Sequence, residues 1–277
     1  MFIKKTLNMK NKIFDCVTFF QENFITNFRF EVLDKVVDYF VVCESTYDHR
    51  GNKKKLNFKL SNPKFKEKVI YLVLNKPFKN SNDIWQNQAE QREYIISGLA
   101  EATTDDYIMF SDPDEIPRPE LLKNLTLKKK YGIFLQNIYC YKFNLFNRYE
   151  SPWEGTRICK KKNLISIDYM RQKIKHKNLR SPFWKFYKEK SIQIIENGGW
   201  HFNSLLSPEE ISKKLKTFAH SEFSDEKFSS VSVIKEKISK RIDLFERNHE
   251  YEEVKIDNSF PDYLIKNINK YKEYTIF

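Results

Sequence analysis

The sequence predicts an α/β fold, a mostly parallel central sheet flanked by helices and continued by a C-terminal helical extension. Three observations carry this prediction. Short uninterrupted apolar runs at Tyr39–Cys43 (YFVVC), Val69–Leu74 (VIYLVL) and Tyr107–Phe110 (YIMF) suit strands buried on both faces. Stretches with helical spacing precede the first and the last of these runs: Ile25, Phe28, Val32, Leu33 and Val36, then Trp85, Ala89, Ile96 and Leu99. The resulting order, strand, helix, strand, strand, helix, strand, is that of parallel strands joined by crossovers.

In chain order, Ile13 to Phe20 (IFDCVTFF) reads as the first strand and the next helix follows it directly. A polar, basic loop spans Thr46 to Lys59. Ile84 to Ala102 reads as one helix leading into the Tyr107–Phe110 strand. Past Pro119 the pattern changes: Gly132 to Phe146 holds long β-like stretches rich in Phe and Tyr, suited to adjacent or antiparallel strands. Ser191 to Glu196 (SIQIIE) is a further strand, ending at Gly198-Gly199-Trp200-His201. Ser207 and Glu210 have the spacing of a capping box, and the chain to about Asn248 reads as helical and basic. No linker interrupts this series. The expected organisation is an N-terminal extension over 1–12, one domain over 13–248 and a C-terminal extension over 249–277.

Composition narrows the function. With 40% apolar and 16% aromatic residues, the chain is globular rather than disordered. Only 6 glycines occur, and neither GxGxxG nor GxxxxGK[ST] is present. The net charge of +12 includes the runs Lys53-Lys54-Lys55, Lys128-Lys129-Lys130 and Lys160-Lys161-Lys162. These runs lack interleaved aromatics and read as solvated surface, so no nucleic-acid partner is expected. Cys16, Cys43, Cys140 and Cys159 form no CxxC pair, and the first three lie in apolar runs as reduced, buried thiols. Met1 to Lys12 has no apolar stretch fit for a signal peptide or anchor, and no span elsewhere is long enough to cross a bilayer. The expected setting is cytoplasmic, with peripheral membrane contact.

The chemistry concentrates at Asp112-Pro113-Asp114-Glu115, directly after the third buried run. Three carboxylates in four positions repel one another and need a cation or hydrogen-bond donors as an offset. The carboxyl end of a buried strand is where open α/β sheets bind ligands. Hard oxygen ligands suit Mn²⁺ or Mg²⁺ shared with substrate phosphates, and Pro113 stiffens the turn that presents them.

The surrounding segments, IFDCVTFFQE, VVDYFVVCEST, WQNQAEQREYIISGL, DDYIMFSDPDEIPRP and GGWHFNSLLSPEEISKKLKTFAHSEF, together resemble glycosyltransferase family 17 over roughly residues 13 to 245. That resemblance implies a GT-A type nucleotide-diphosphosugar fold. It also implies an inverting transfer from a UDP-sugar, most often UDP-GlcNAc, to a glycan or glycolipid hydroxyl. By the same resemblance, Asp114 binds the metal directly and Asp112 binds the metal-bound water or the ribose. Glu115 completes the DxDE pattern, oriented toward the donor sugar or the metal shell and counted with the catalytic carboxylates. Phe19, Glu22 and Glu44 follow the first two strands, where such folds hold the nucleoside, and Arg92 precedes the acidic strand, within reach of a diphosphate. Trp200 and His201 match the family's GWH element, with His201 as a third metal ligand and Trp200 at the donor. His220 and Glu222, in AHSEF, are the candidates for the base that deprotonates the acceptor.

Two other classes fit parts of the sequence. A metal-dependent nuclease or nucleotidyltransferase would use the acidic cluster with the basic surface, but needs further carboxylates for a two-metal site. A non-catalytic binding module would keep the fold without turnover.

Overall fold

The computed structural model describes residues 11–80, 83–217 and 225–276. Four parallel strands form one half of the sheet: β1 (Ile13–Phe19), β2 (Tyr39–Ser45), β3 (Val69–Leu74) and β4 (Tyr107–Ser111), in the order β3-β2-β1-β4. Helices α1 (Asn23–Leu33) and α2 (Ile84–Tyr94) make the crossovers. The strand, helix, strand, strand, helix, strand order is therefore realised. β3 is an edge strand rather than a buried one, and Tyr71 on it is exposed. The single helix expected over 84–102 stops at Tyr94 and tightens into a 3₁₀ segment, Ile95–Leu99, leaving Trp85 and Ile96 in solvent.

The second half of the sheet is mostly antiparallel. After β5 (Glu115–Pro117) and α3 (Pro119–Lys123) come β6 (Tyr131–Cys140), β7 (Leu145–Asn147) and β8 (Trp153–Lys160). β8 joins the halves by pairing antiparallel with both β4 and β6. α4 (Ile167–Lys173) follows β8, and β9 (Ile192–Asn203) runs parallel to β6. β9 does not end at the glycines as expected but passes through them, because β6 on one edge and β5 on the other hold it extended. Gly199 has φ +134°, and a Cβ there would meet the Ile116 carbonyl oxygen at 2.2 Å. Only glycine lets β5 and β9 approach this closely.

α5 (Pro208–Thr217) begins with the expected capping box: the Ser207 hydroxyl accepts from the Glu210 amide at 3.2 Å, and the Glu210 carboxylate accepts from the Ser207 amide at 2.9 Å. α6 (Glu226–Ser229) and α7 (Val231–Lys240) complete this helical layer. Residues 249–276 return to the sheet. β10 (Glu252–Glu253) pairs with β7, and Leu264 of α8 (Asp262–Lys266) is buried with Phe260 and Tyr271 in the same core as Phe28 and Phe202. All four cysteines are buried and free. No helix among the described residues is long and apolar enough to cross a membrane.

Candidate active site

Turn chemistry separates the three carboxylates. β4 ends at Ser111, and Pro113 presets a turn in which the Glu115 amide donates to the Asp112 carbonyl at 3.0 Å. β5 then carries Glu115 back inside, with 0% exposure, while Asp112 and Asp114 stay at the carboxyl end of the sheet. There they line a cavity of about 420 Å³. Its other walls are Phe19, Phe20 and Glu22 after β1, Gln88 and Gln91 of α2, His49, Trp153, and His201 and Asn203 at the end of β9. Ile211, Lys214 and Leu215 of α5 close it with Leu244 and Arg247.

Two buried arginines hold the turn. Arg29 of α1 makes a fork with Asp15 of β1 at 2.6 and 2.7 Å and donates to the Glu115 carbonyl at 2.6 Å. Arg171 of α4 forks onto the Glu115 carboxylate at 2.8 and 2.9 Å and reaches Asp112 at 2.5 Å. The indole of Trp153 donates to the same Glu115 carboxylate at 2.7 Å. Burial pushes the Glu115 carboxyl up, but the Arg171 charge, His201 and the Arg171 hydrogen bonds outweigh it and hold the group ionised below its ordinary value. Glu115 is thus an anchor for the turn, fully occupied by the protein's own donors.

Asp114 and His201 face each other, 3.6 Å apart. Burial opposes ionisation of Asp114, yet His201 and then Lys214 bring its carboxyl below the usual range. Burial likewise opposes a charged His201, and Asp114 more than offsets it, raising the imidazole. Lys214 keeps its proton: burial lowers it, and Glu22, Asp114 and Asp112 together raise it above the ordinary value. Its ammonium lies 3.7 Å from Glu22.

The other residues singled out in the sequence are placed as follows. Phe19 and Glu22 line the cavity. Glu44 does not: its carboxylate is buried and accepts from Lys54, Tyr71 and the amides of Asn57 and Phe58, which ties down the 46–60 loop. Lys54, read as solvated surface, is therefore a structural partner. Arg92 is buried between helices, 2.9 Å from Asp168 of α4 and bonded to Gln88, rather than lining the cavity. Strand alternation sends Trp200 to the face opposite His201, where it is 2% exposed and bonded to the Ser259 carbonyl. His220 and Glu222 lie outside the described residues.

Sequence reasoning missed Arg29, Trp153, Arg171 and Lys214. For Arg171 a signal existed: Ser166 as N-cap, Asp168 in the first turn and Arg171 and Lys173 in the last mark a short helix at α4. The two aspartates are oxygen donors of the kind a hard divalent cation takes; His201 turns Nε2 to Asp114, and its Nδ1 is buried without a hydrogen-bond partner. They do not form a closed cage, since among the described residues no group of three or more His, Cys, Asp or Glu is placed to hold a metal ion.

Against this geometry, the sequence matches the profile of Glycosyltransferase family 17 over residues 3–274. The chain belongs to glycosyltransferase family 17. Its fold is mixed α/β, a central sheet flanked by helices. Within the family's wider relatives, it is 31% identical over 116 residues to a rat (Rattus norvegicus) beta-1,4-mannosyl-glycoprotein 4-beta-N-acetylglucosaminyltransferase, covering 38% of this chain and 22% of that one. The human (Homo sapiens) protein of the same description is 35% identical over 99 residues, covering 32% and 19%. The matched segments thus span about a fifth of these curated relatives. Among solved structures, glucosyl-3-phosphoglycerate synthase from Mycobacterium tuberculosis, in complex with Mn²⁺, UDP-glucose and phosphoglyceric acid, aligns over 92% of this chain and 91% of its own at 11% identity and a TM-score of 0.36.

Proposed function

We propose that this member of family 17 transfers a sugar, GlcNAc, from its UDP donor to a hydroxyl of a glycan or glycolipid with inversion. The observation that carries this reading is the placement of Asp112 and Asp114 on one cavity at the strand carboxyl ends, opposite Lys214 and His201. An anionic diphosphate needs a cationic partner there, and Lys214 supplies one from α5. Phe19, Phe20 and His49 also line the cavity and offer ring surface suited to a nucleobase, with burial lowering the His49 imidazole.

Asp112 and Asp114 would hold Mn²⁺ or Mg²⁺ together with the donor's phosphates, and the ion would neutralise charge on the departing diphosphate; His201 stands beside this pair, 3.6 Å from Asp114. Arg171 keeps Asp112 in place and Glu115 keeps Arg171 in place. In the reaction, an acceptor hydroxyl oxygen bonds to the anomeric carbon as the bond from that carbon to the phosphate oxygen breaks. UDP leaves with the electron pair, and the hydroxyl proton passes to a base. His220 or Glu222 is assigned that role. Both follow α5, whose Ile211, Lys214 and Leu215 line the cavity.

Release of UDP from a panel of nucleotide sugars, with Mn²⁺ and with EDTA, tests the proposal. Metal-dependent release from one UDP-sugar is the expected result. No release and no UDP binding across the panel would overturn it, and salt-sensitive cleavage of a nucleic acid would establish the nuclease reading instead.

A further inference from the structure

Among the described residues, a cluster of exposed aromatic side chains lies away from the cavity, in the loop between α4 and β9. Phe183, Trp184, Phe186 and Tyr187 are 76%, 62%, 86% and 73% exposed. Four large aromatic rings at this exposure within five residues exceed the scattered apolar side chains that a soluble surface carries. The loop backbone is nonetheless tied together: the Lys185 amide donates to Pro182 at 3.1 Å and the Lys188 amide to Lys185 at 3.0 Å. The Lys190 ammonium closes the base on the Pro182 carbonyl at 2.8 Å. These bonds hold a short closed loop whose rings project outward.

Charge is equally one-sided. Residues 173 to 190 carry seven Lys or Arg and a single acid, Glu189. That acid is taken up locally, accepting from the Ser191 amide at 2.7 Å and lying 3.5 Å from Lys130. Lys185 and Lys188 alternate with the rings, and Lys188 lies over the Tyr187 ring at 5.5 Å. Aromatic rings with lysines between them match the headgroup region of a bilayer, where rings sit at the boundary and ammonium groups reach anionic phosphates.

We infer that this loop docks the protein on an anionic lipid surface, with the aromatic side chains inserted among the headgroups and the lysines paired with lipid phosphate. A stacking platform for single-stranded nucleic acid presents rings on a supported sheet face or groove. Here the rings stand at a loop tip, and Phe186 has no polar atom to suit it to water.

Co-sedimentation of the full chain with phosphatidylcholine vesicles, with and without phosphatidylglycerol, is the test. The expected result is binding to the anionic vesicles only, weakened by salt. Trp184→Ser with Phe186→Ser should weaken it at least about tenfold, as should Lys185→Glu with Lys188→Glu. Neither pair should shift the melting temperature or the release of UDP without vesicles, since no residue of the cavity is touched. Emission should move to the blue on vesicle addition, and Trp184→Phe should abolish that shift while binding persists. No binding to anionic vesicles, binding that both double variants retain in full, or capture of a single-stranded oligonucleotide in place of vesicles would each overturn the inference.

Discussion

Two acidic stations stand at the carboxyl ends of parallel strands, and they behave in opposite ways. Glu44, at the end of β2, receives four donors from the chain that follows it and is closed to any ligand. Asp112 and Asp114, at the end of β4, receive Arg171 on one and face His201 on the other, and both still line the cavity. Strand position is the same in the two cases. What differs is how many donors the protein itself supplies, and that number decides whether a carboxylate organises a loop or meets a substrate. Glu115 shows the rule within one turn: three residues from Asp112, it is saturated and structural.

The largest expected effect falls on the saturated side. Arg171→Ala leaves Glu115 charged, buried and short of its fork, and should lower stability by about 3–5 kcal/mol in urea denaturation. Arg171→Lys should recover part of this, since it restores charge without the bidentate geometry. A loss below about 1 kcal/mol for the alanine variant would mean that Glu115 finds other donors, and the anchor role would fall.

On the open side the effect moves from stability to turnover. Asp114→Asn should reduce kcat/KM for UDP release by about 100- to 1000-fold, with the melting temperature kept within about 2 °C. Glu44→Gln should do the reverse. It breaks charge-assisted bonds under the 46–60 loop and should lower stability by about 1–3 kcal/mol, with kcat at saturating donor unchanged within about twofold. An activity loss from Glu44→Gln as deep as that from Asp114→Asn would erase the distinction between the two stations.

The parallel half of the fold was legible because its strands are continuous apolar runs and its helices have regular spacing. The antiparallel half was less so. β8 buries Thr156 and Arg157, on opposite faces of the strand, because Thr156 donates to the Glu115 carbonyl and Arg157 to the Ile174 carbonyl, and no period reveals that in advance. Of the site, the acidic turn could be seen, because Pro113 and a preceding buried strand mark it locally. The partners that sort its carboxylates could not. Arg29 is 83 residues from Asp112 and Arg171 is 59 residues from it, so their convergence is a property of the packed chain. Trp200 misled for a related reason: adjacency to His201 in sequence means opposite faces in a strand.

The cysteines extend the comparison to buried groups that receive no charged partner. Burial pushes the Cys43, Cys140 and Cys159 thiols up to about 12, and Cys16 is also well raised. As neutral thiols, Cys43 donates weakly to the Gln91 carbonyl at 3.4 Å and Cys140 accepts from the Asn147 side-chain amide at 3.9 Å. The sign of the consequence follows from proton counting. Above the ordinary thiol value of about 8.5, the unfolded chain loses protons that the folded chain keeps, so stability falls as pH rises. Each buried cysteine should contribute about 1.4 kcal/mol per pH unit to that fall until its folded value is reached. Denaturation midpoints across the alkaline range check this. Cys159→Ala should make the slope shallower by one group's share, although it lowers stability at neutral pH by removing a packed side chain. Rapid labelling of native Cys159 by a thiol reagent at neutral pH, or a slope that Cys159→Ala leaves unchanged, would show that its thiol is not held neutral by burial.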